Sequence, residues 1–204
     1  MQDSALETVH LKDYTPYPFE IKTVELTFRL SPNATRVISR LTVSPKEKSA
    51  YQEIFLHGEK LKLIWLKING APATSIITEK GLHCSVPDSE FILECEVEID
   101  PANNTSLEGL YMSNGIYCTQ CEAEGFRKIT YYPDRPDVLS KFNVRIEEEV
   151  QKLPVLLSNG NPKGAGSGWS EWSDPWPKPA YLFALVAGQL INHPDNFITK
   201  SGKD

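Results

Sequence analysis

Residues 19–30 read F-E-I-K-T-V-E-L-T-F-R-L, and the alternation in this stretch decides the fold class. Val24, Leu26, Phe28 and Leu30 fall on one side of an extended chain, and Glu25, Thr27 and Arg29 fall on the other. Successive side chains of a strand point to opposite faces, so a period of two builds one face for a core and one for water. S-P-N-A at 31–34 is a turn signal, and T-R-V-I-S-R-L-T-V at 35–43 resumes the strand character. The two runs predict a β-hairpin.

The same signal recurs outward from this hairpin. E-I-F-L-H-G at 53–58 predicts a short strand, and L-K-L-I-W-L-K-I-N-G at 61–70 predicts another that ends in an Asn69-Gly70 turn. F-I-L-E-C-E-V-E-I-D at 91–100 alternates over Leu93, Cys95, Val97 and Ile99. Further strands are expected in K-F-N-V-R-I-E (141–147), P-V-L-L-S-N-G (154–160) and Y-L-F-A-L-V-A-G (181–188). Fifteen prolines and twelve glycines keep these runs short. Helical turns are expected at two places only: Glu122 to Lys128, and P-D-R-P-D-V-L (133–139), where Asp134 or Asp137 could cap. N-G-N-P-K-G-A-G-S-G (159–168) reads as a flexible surface loop. The expectation is an all-β fold, mostly antiparallel, with saddle-shaped or sandwich-like sheets and one or two short helical turns. Residues 1–190 would form one β-domain, and 191–204 a linker.

Composition narrows the function. The 204 residues carry a net charge of −6 with no basic run, which argues against a nucleic-acid partner. The longest apolar stretch, Ala180 to Gly188, is far short of the ~18 residues of a membrane span. The opening M-Q-D-S-A-L-E-T has no basic-then-apolar leader pattern, and four cysteines are few for a secreted disulfide scaffold. Both point to a cytoplasmic protein with reduced thiols.

Candidate chemistry is sparse. Cys118-Thr-Gln-Cys121 could be half a zinc site or a redox pair, but Cys84 and Cys95 lack the spacing to complete a ligand set, and no βαβ unit precedes the motif. Two packed thiols are the plainer reading. Trp169-Ser-Glu-Trp-Ser173 resembles the W-S-x-W-S box of cytokine-receptor modules, where arginines of a neighbouring strand stack on the tryptophans. That similarity keeps open a stand-alone β-sandwich binding module. The four histidines show no i, i+4 pair, and there is no phosphate loop or nucleophile elbow. No catalytic residue and no metal site are therefore expected in this chain.

Residues 107–188 carry a more specific signal. They contain G-L-Y-x-S, T-Q-C-E-A-E-G-F-R, I-T-Y-Y-x-D-R-P-D-V, L-L-S-N-G-N and D-P-x-P-K-P-x-Y-L-F-A-L-V-A-G, in that order. This closely resembles the bacterial-type aminopeptidase N (alanyl aminopeptidase) family. The first hundred residues match only in character, after a D-Y-x-P-x-P-F opening at Asp13 to Phe19. The resemblance implies a non-catalytic amino-terminal β-domain that packs on a zinc-bearing catalytic domain of the same polypeptide, reached through 191–204. Zinc would belong to that domain and not to this chain. The resemblance also implies that Gln120 and Glu122 line the first substrate pocket, with Glu122 binding the free α-ammonium of a peptide substrate. An apolar docking surface is expected around Cys118 to Tyr132.

Overall fold

The computed structural model describes residues 10–47, 52–148 and 153–202. The opening M-Q-D-S-A-L-E-T, with its lack of a leader pattern, lies outside the described residues. Among the described residues fifteen strands follow one another: β1 (Phe19–Arg29), β2 (Thr35–Pro45), β3 (Glu53–His57), β4 (Lys62–Ile68), β5 (Ala71–Pro72), β6 (Ile76–Thr78), β7 (Gly81–Ser85), β8 (Phe91–Ile99), β9 (Gly109–Ser113), β10 (Ile116–Gln120), β11 (Ser140–Glu147), β12 (Val155–Ser158), β13 (Asn161–Gly166), β14 (Trp169–Lys178) and β15 (Leu185–Gly188). They form an eight-stranded sheet in the order β13-β14-β11-β1-β2-β8-β4-β5, a four-stranded sheet β12-β15-β10-β9 and a three-stranded sheet β3-β7-β6. Every named pairing is antiparallel except β1 with β11, which run parallel from Thr23↔Lys141 to Arg29↔Glu147. The all-β, mostly antiparallel expectation is met.

The large sheet shows how the alternation works. On one face Val24, Leu26 and Phe28 join Val37, Leu41, Leu93, Cys95, Val97, Phe142 and Val144 in the core. The phase of β1 slips between Ile21 and Thr23, where a bulge at Lys22 lets Phe19 and Ile21 share that face with Val24. The opposite face is a ladder of charge. Glu25 faces Arg40, Arg40 faces Glu94, and Arg36 and Lys62 both face Glu98 across their strand pairs. Each of these register pairs is close enough for an ion pair, at 3.1, 3.6, 3.7 and 2.8 Å respectively. Opposite charges placed across strands support register as well as solubility.

Three expectations are corrected. The glycine-rich stretch 159–168 is not a loose loop: Asn161–Gly166 is edge strand β13, paired with β14. Its glycines make room for an aromatic ring, since a Cβ on Gly166 would lie 2.4 Å from Trp169 Nε1. Gly160 and Gly168 turn the chain at φ +87° and +75°. Likewise P-D-R-P-D-V-L forms no helix. Its prolines oppose one, and the two aspartates are engaged elsewhere: Asp134 receives Arg127, and Asp137 receives Arg135, Tyr14 and the Tyr17 amide. Among the described residues the helical segments are single 3₁₀ turns at Leu11–Asp13, Phe126–Lys128 and Ala180–Leu182. The last occupies the start of the stretch expected as a strand, so that strand begins only at Leu185.

Candidate functional site

Gln120 ends β10, and Glu122 follows in the turn that leads to the 3₁₀ segment Phe126–Lys128. The structure brings the two together: Gln120 Nε2 donates to the Glu122 carbonyl at 3.0 Å. Both side chains are exposed. The Glu122–Ala123 peptide bond is cis. The turn then closes on itself, because the Gly125 amide donates to the Cys121 carbonyl at 2.8 Å. The approach is so close that a Cβ on Gly125 would sit 2.2 Å from the Gln120 carbonyl oxygen, which makes glycine necessary there.

The turn stands on a rigid base. Phe126 is fully buried, edge-on to Tyr132, Phe142 and Phe183 at centroid distances of 5.1, 6.0 and 5.3 Å. Burying and stacking such a ring stabilises the turn by roughly 2–4 kcal/mol. Arg127 Nε and its own backbone amide both donate to Asp134 Oδ2 at 3.1 Å, and Nη2 donates to the Asp134 carbonyl at 3.1 Å. Burial raises the Asp134 pKa, and the Arg127 bonds and charge oppose that shift. Arg127 Nη1 also reaches Glu124 at 3.1 Å and Glu59 at 3.8 Å, and Lys128 pairs with Glu108. The cations around the turn are thus engaged by Glu59, Glu108, Glu124 and Asp134. Glu122 makes no ion pair among the described residues, so this turn presents one uncompensated carboxylate to solvent.

The other candidates resolve as packing. All four cysteines are free thiols, and Cys84, Cys95 and Cys121 are buried. Burial pushes their pKa values up, that of Cys84 to about 11, which leaves them weak nucleophiles. The W-S-x-W-S box lies on β14, where Arg145 of neighbouring β11 does stack on Trp169, its Cζ 4.5 Å from the ring centroid. Arg145 also pairs with Glu147 and Glu171, each at 2.6 Å, so the stack belongs to the charge ladder of the large sheet. No large apolar side chain is exposed between Cys118 and Tyr132, contrary to expectation. The exposed ones include Ile76, Leu107, Trp176 and Leu182, and Ile191, Phe197 and Ile198 beyond β15. Sequence reading passed over Arg127, Glu124 and the role of Asp134. The only available signal was an arginine two residues after the glycine of E-A-E-G-F-R.

Residues 21–182 match the model of the Peptidase M1 N-terminal domain. The chain belongs to that family. Aminopeptidase N of Caulobacter vibrioides is 50% identical over all of this chain, which spans 24% of that protein. Aminopeptidase N of Escherichia coli is 44% identical over 94% of this chain and 23% of its own length. A crystal structure of Legionella pneumophila aminopeptidase A with aspartic acid superposes with a TM-score of 0.85 at 34% identity, covering 95% of this chain and 24% of that one. The chain therefore spans about a quarter of the length of these relatives. As a Peptidase M1 N-terminal domain it includes the turn bearing Gln120 and Glu122, and the W-S-x-W-S box, within the matched residues.

Proposed function

We propose that this chain is the non-catalytic amino-terminal domain of a cytoplasmic zinc aminopeptidase, forming one wall of the site that removes amino-terminal residues from peptides. The observation that carries the reading is the exposed, unpaired Glu122 carboxylate on a turn whose neighbouring charges are compensated. A carboxylate so placed recognises the free α-ammonium of a peptide through a charge-assisted hydrogen bond. Holding the ammonium also sets the register of the peptide, so only its first residue reaches the scissile position. Gln120, fixed through its amide to the Glu122 carbonyl, lines the pocket for the first side chain.

The catalytic domain would follow in the same polypeptide, with residues 1–190 as the β-domain and 191–204 as the linker. Exposed Ile191, Phe197 and Ile198 suit a segment that another domain covers. Zinc is assigned to that domain. Among the described residues no three His, Cys, Asp or Glu side chains come together to hold a metal ion. Among the described residues no helix is long and apolar enough to cross a membrane.

In the full-length enzyme, Glu122→Ala should lower kcat/KM about ten- to a hundredfold for substrates with a free α-amine, following the ~1.5–3 kcal/mol of hydrogen bonds to charged groups. Zinc content should stay unchanged. Gln120→Ala should instead shift preference among first residues. An unchanged kcat/KM for Glu122→Ala across a panel of aminoacyl substrates would refute the assignment.

A further inference from the structure

We propose that Arg127 is the positioning residue for Glu122, an inference that rests on the amine-binding reading of that carboxylate. Three parts of the chain converge on its guanidinium. Nη1 takes Glu124 from the turn itself, at 3.1 Å. Nε and Nη2 take the carboxylate and carbonyl of Asp134, from the segment after Tyr132. Nη1 also lies 3.8 Å from Glu59, whose amide donates to the Arg127 carbonyl at 3.0 Å. Asp134 is buried to 2% side-chain exposure and Arg127 to 12%, whereas Glu124 is 69% exposed.

The guanidinium is thus a bolt with one end in the core and the other in the turn. Between Cys121 and Phe126 the other ties are the Gly125–Cys121 and Lys128–Gly125 backbone bonds and the Gln120 bond to the Glu122 carbonyl. None of them holds the Glu124 side chain, so Arg127 is what holds the outer limb of the turn that carries Glu122. The task requires the planar fork of arginine: two arms directed at Asp134 and a third at Glu124. A lysine ammonium would keep the charge beside Asp134 and lose the simultaneous reach to Glu124. Because a misplacement of about 1 Å is costly at a reacting centre, a slack turn weakens ammonium binding without any change at Glu122 itself.

The test uses the full-length enzyme and two inhibitors that differ only in the α-amine, alanine hydroxamate and propionohydroxamate, with alanine p-nitroanilide as substrate. Arg127→Lys should raise the inhibition constant of alanine hydroxamate about tenfold, leave that of propionohydroxamate within about twofold, and lower kcat/KM mainly through KM. Glu124→Gln, an exposed change that leaves Asp134 paired, should act in the same direction by about threefold and keeps the test open if Arg127→Lys folds poorly. In a Glu122→Ala background, Arg127→Lys should add less than about twofold, because both changes remove the same interaction. The proposal is overturned if both inhibitors weaken equally, if neither weakens in either variant, or if the effect of Arg127→Lys persists undiminished without Glu122. Should Glu122→Ala itself leave alanine hydroxamate binding unchanged, the amine-binding reading falls and this one with it. Should Glu122→Ala weaken binding while Arg127→Lys and Glu124→Gln do not, only the role of Arg127 falls.

Discussion

Arg127 and Arg145 make the same kinds of bond in opposite surroundings. Arg127 grips Asp134 beneath the Glu122 turn, with 12% and 2% of the two side chains exposed. Arg145 lies on the outer ladder of the large sheet, 35% exposed, between Glu147, Glu171 and the face of Trp169. At the ladder each charge has substitutes nearby and water on one side, so no single pair matters much. At the turn the carboxylate is out of water and depends on one cation. An ion pair acts as a surface decoration or as a structural bolt according to how deeply its carboxylate is buried, since desolvation sets the penalty for breaking it.

The largest expected effect comes from breaking the bolt. Arg127→Ala leaves Asp134 buried without its cation and should cost about 3–5 kcal/mol, read from the urea midpoint of this chain. A loss as small as that of a ladder variant would erase the contrast between the two arginines. Next is Gly125→Ala, whose new methyl meets the Gln120 carbonyl and the Cys121 Cα, backbone atoms that cannot swing aside. It should cost about 2–3 kcal/mol. Gly166→Ala at the hairpin should cost less than that, because there the methyl meets a tryptophan side chain.

A smaller effect belongs to His57, whose Nδ1 is buried with no partner and whose backbone pairs with Tyr132. Burial, then the charges of Arg127 and Arg135, lowers its pKa from 6.5 to about 4. Between those values the unfolded chain binds a proton that the folded chain does not. Stability is therefore full above pH 6.5 and falls as pH drops toward 4, by about 1–2 kcal/mol once screening of the half-exposed ring is allowed for. His57→Gln should flatten that limb of the urea-midpoint profile. The smallest effect is Arg145→Gln, expected at about 1 kcal/mol or less and shrinking in high salt.

Much of the molecule was legible in its residues. The alternation of β1 and β8 and the Asn69-Gly70 turn all appear where the pattern places them. The glycine-rich stretch was misread because composition cannot tell a glycine that loosens a chain from one that clears space for Trp169, which lies outside the stretch itself. Asp134 was misread as a helix cap because its true partner, Arg127, sits seven residues upstream across a fold of the backbone. Gln120 and Glu122 came from motif likeness, while nothing local marked Glu122 as the unpaired carboxylate and Glu124 as the paired one.

Side-chain alternation and turn residues act between neighbours, so they are written in the order of the residues, and from them the β class and the positions of the strongly alternating strands β1, β2 and β8 follow. The parallel seating of β11 against β1 joins Arg29 to Glu147 and could not be read in that way. Nor could the choice of which carboxylate each arginine takes. Those outcomes depend on burial and on which distant segments the core brings within hydrogen-bond reach, and desolvation makes that choice decisive at Arg127 and nearly indifferent at Arg145.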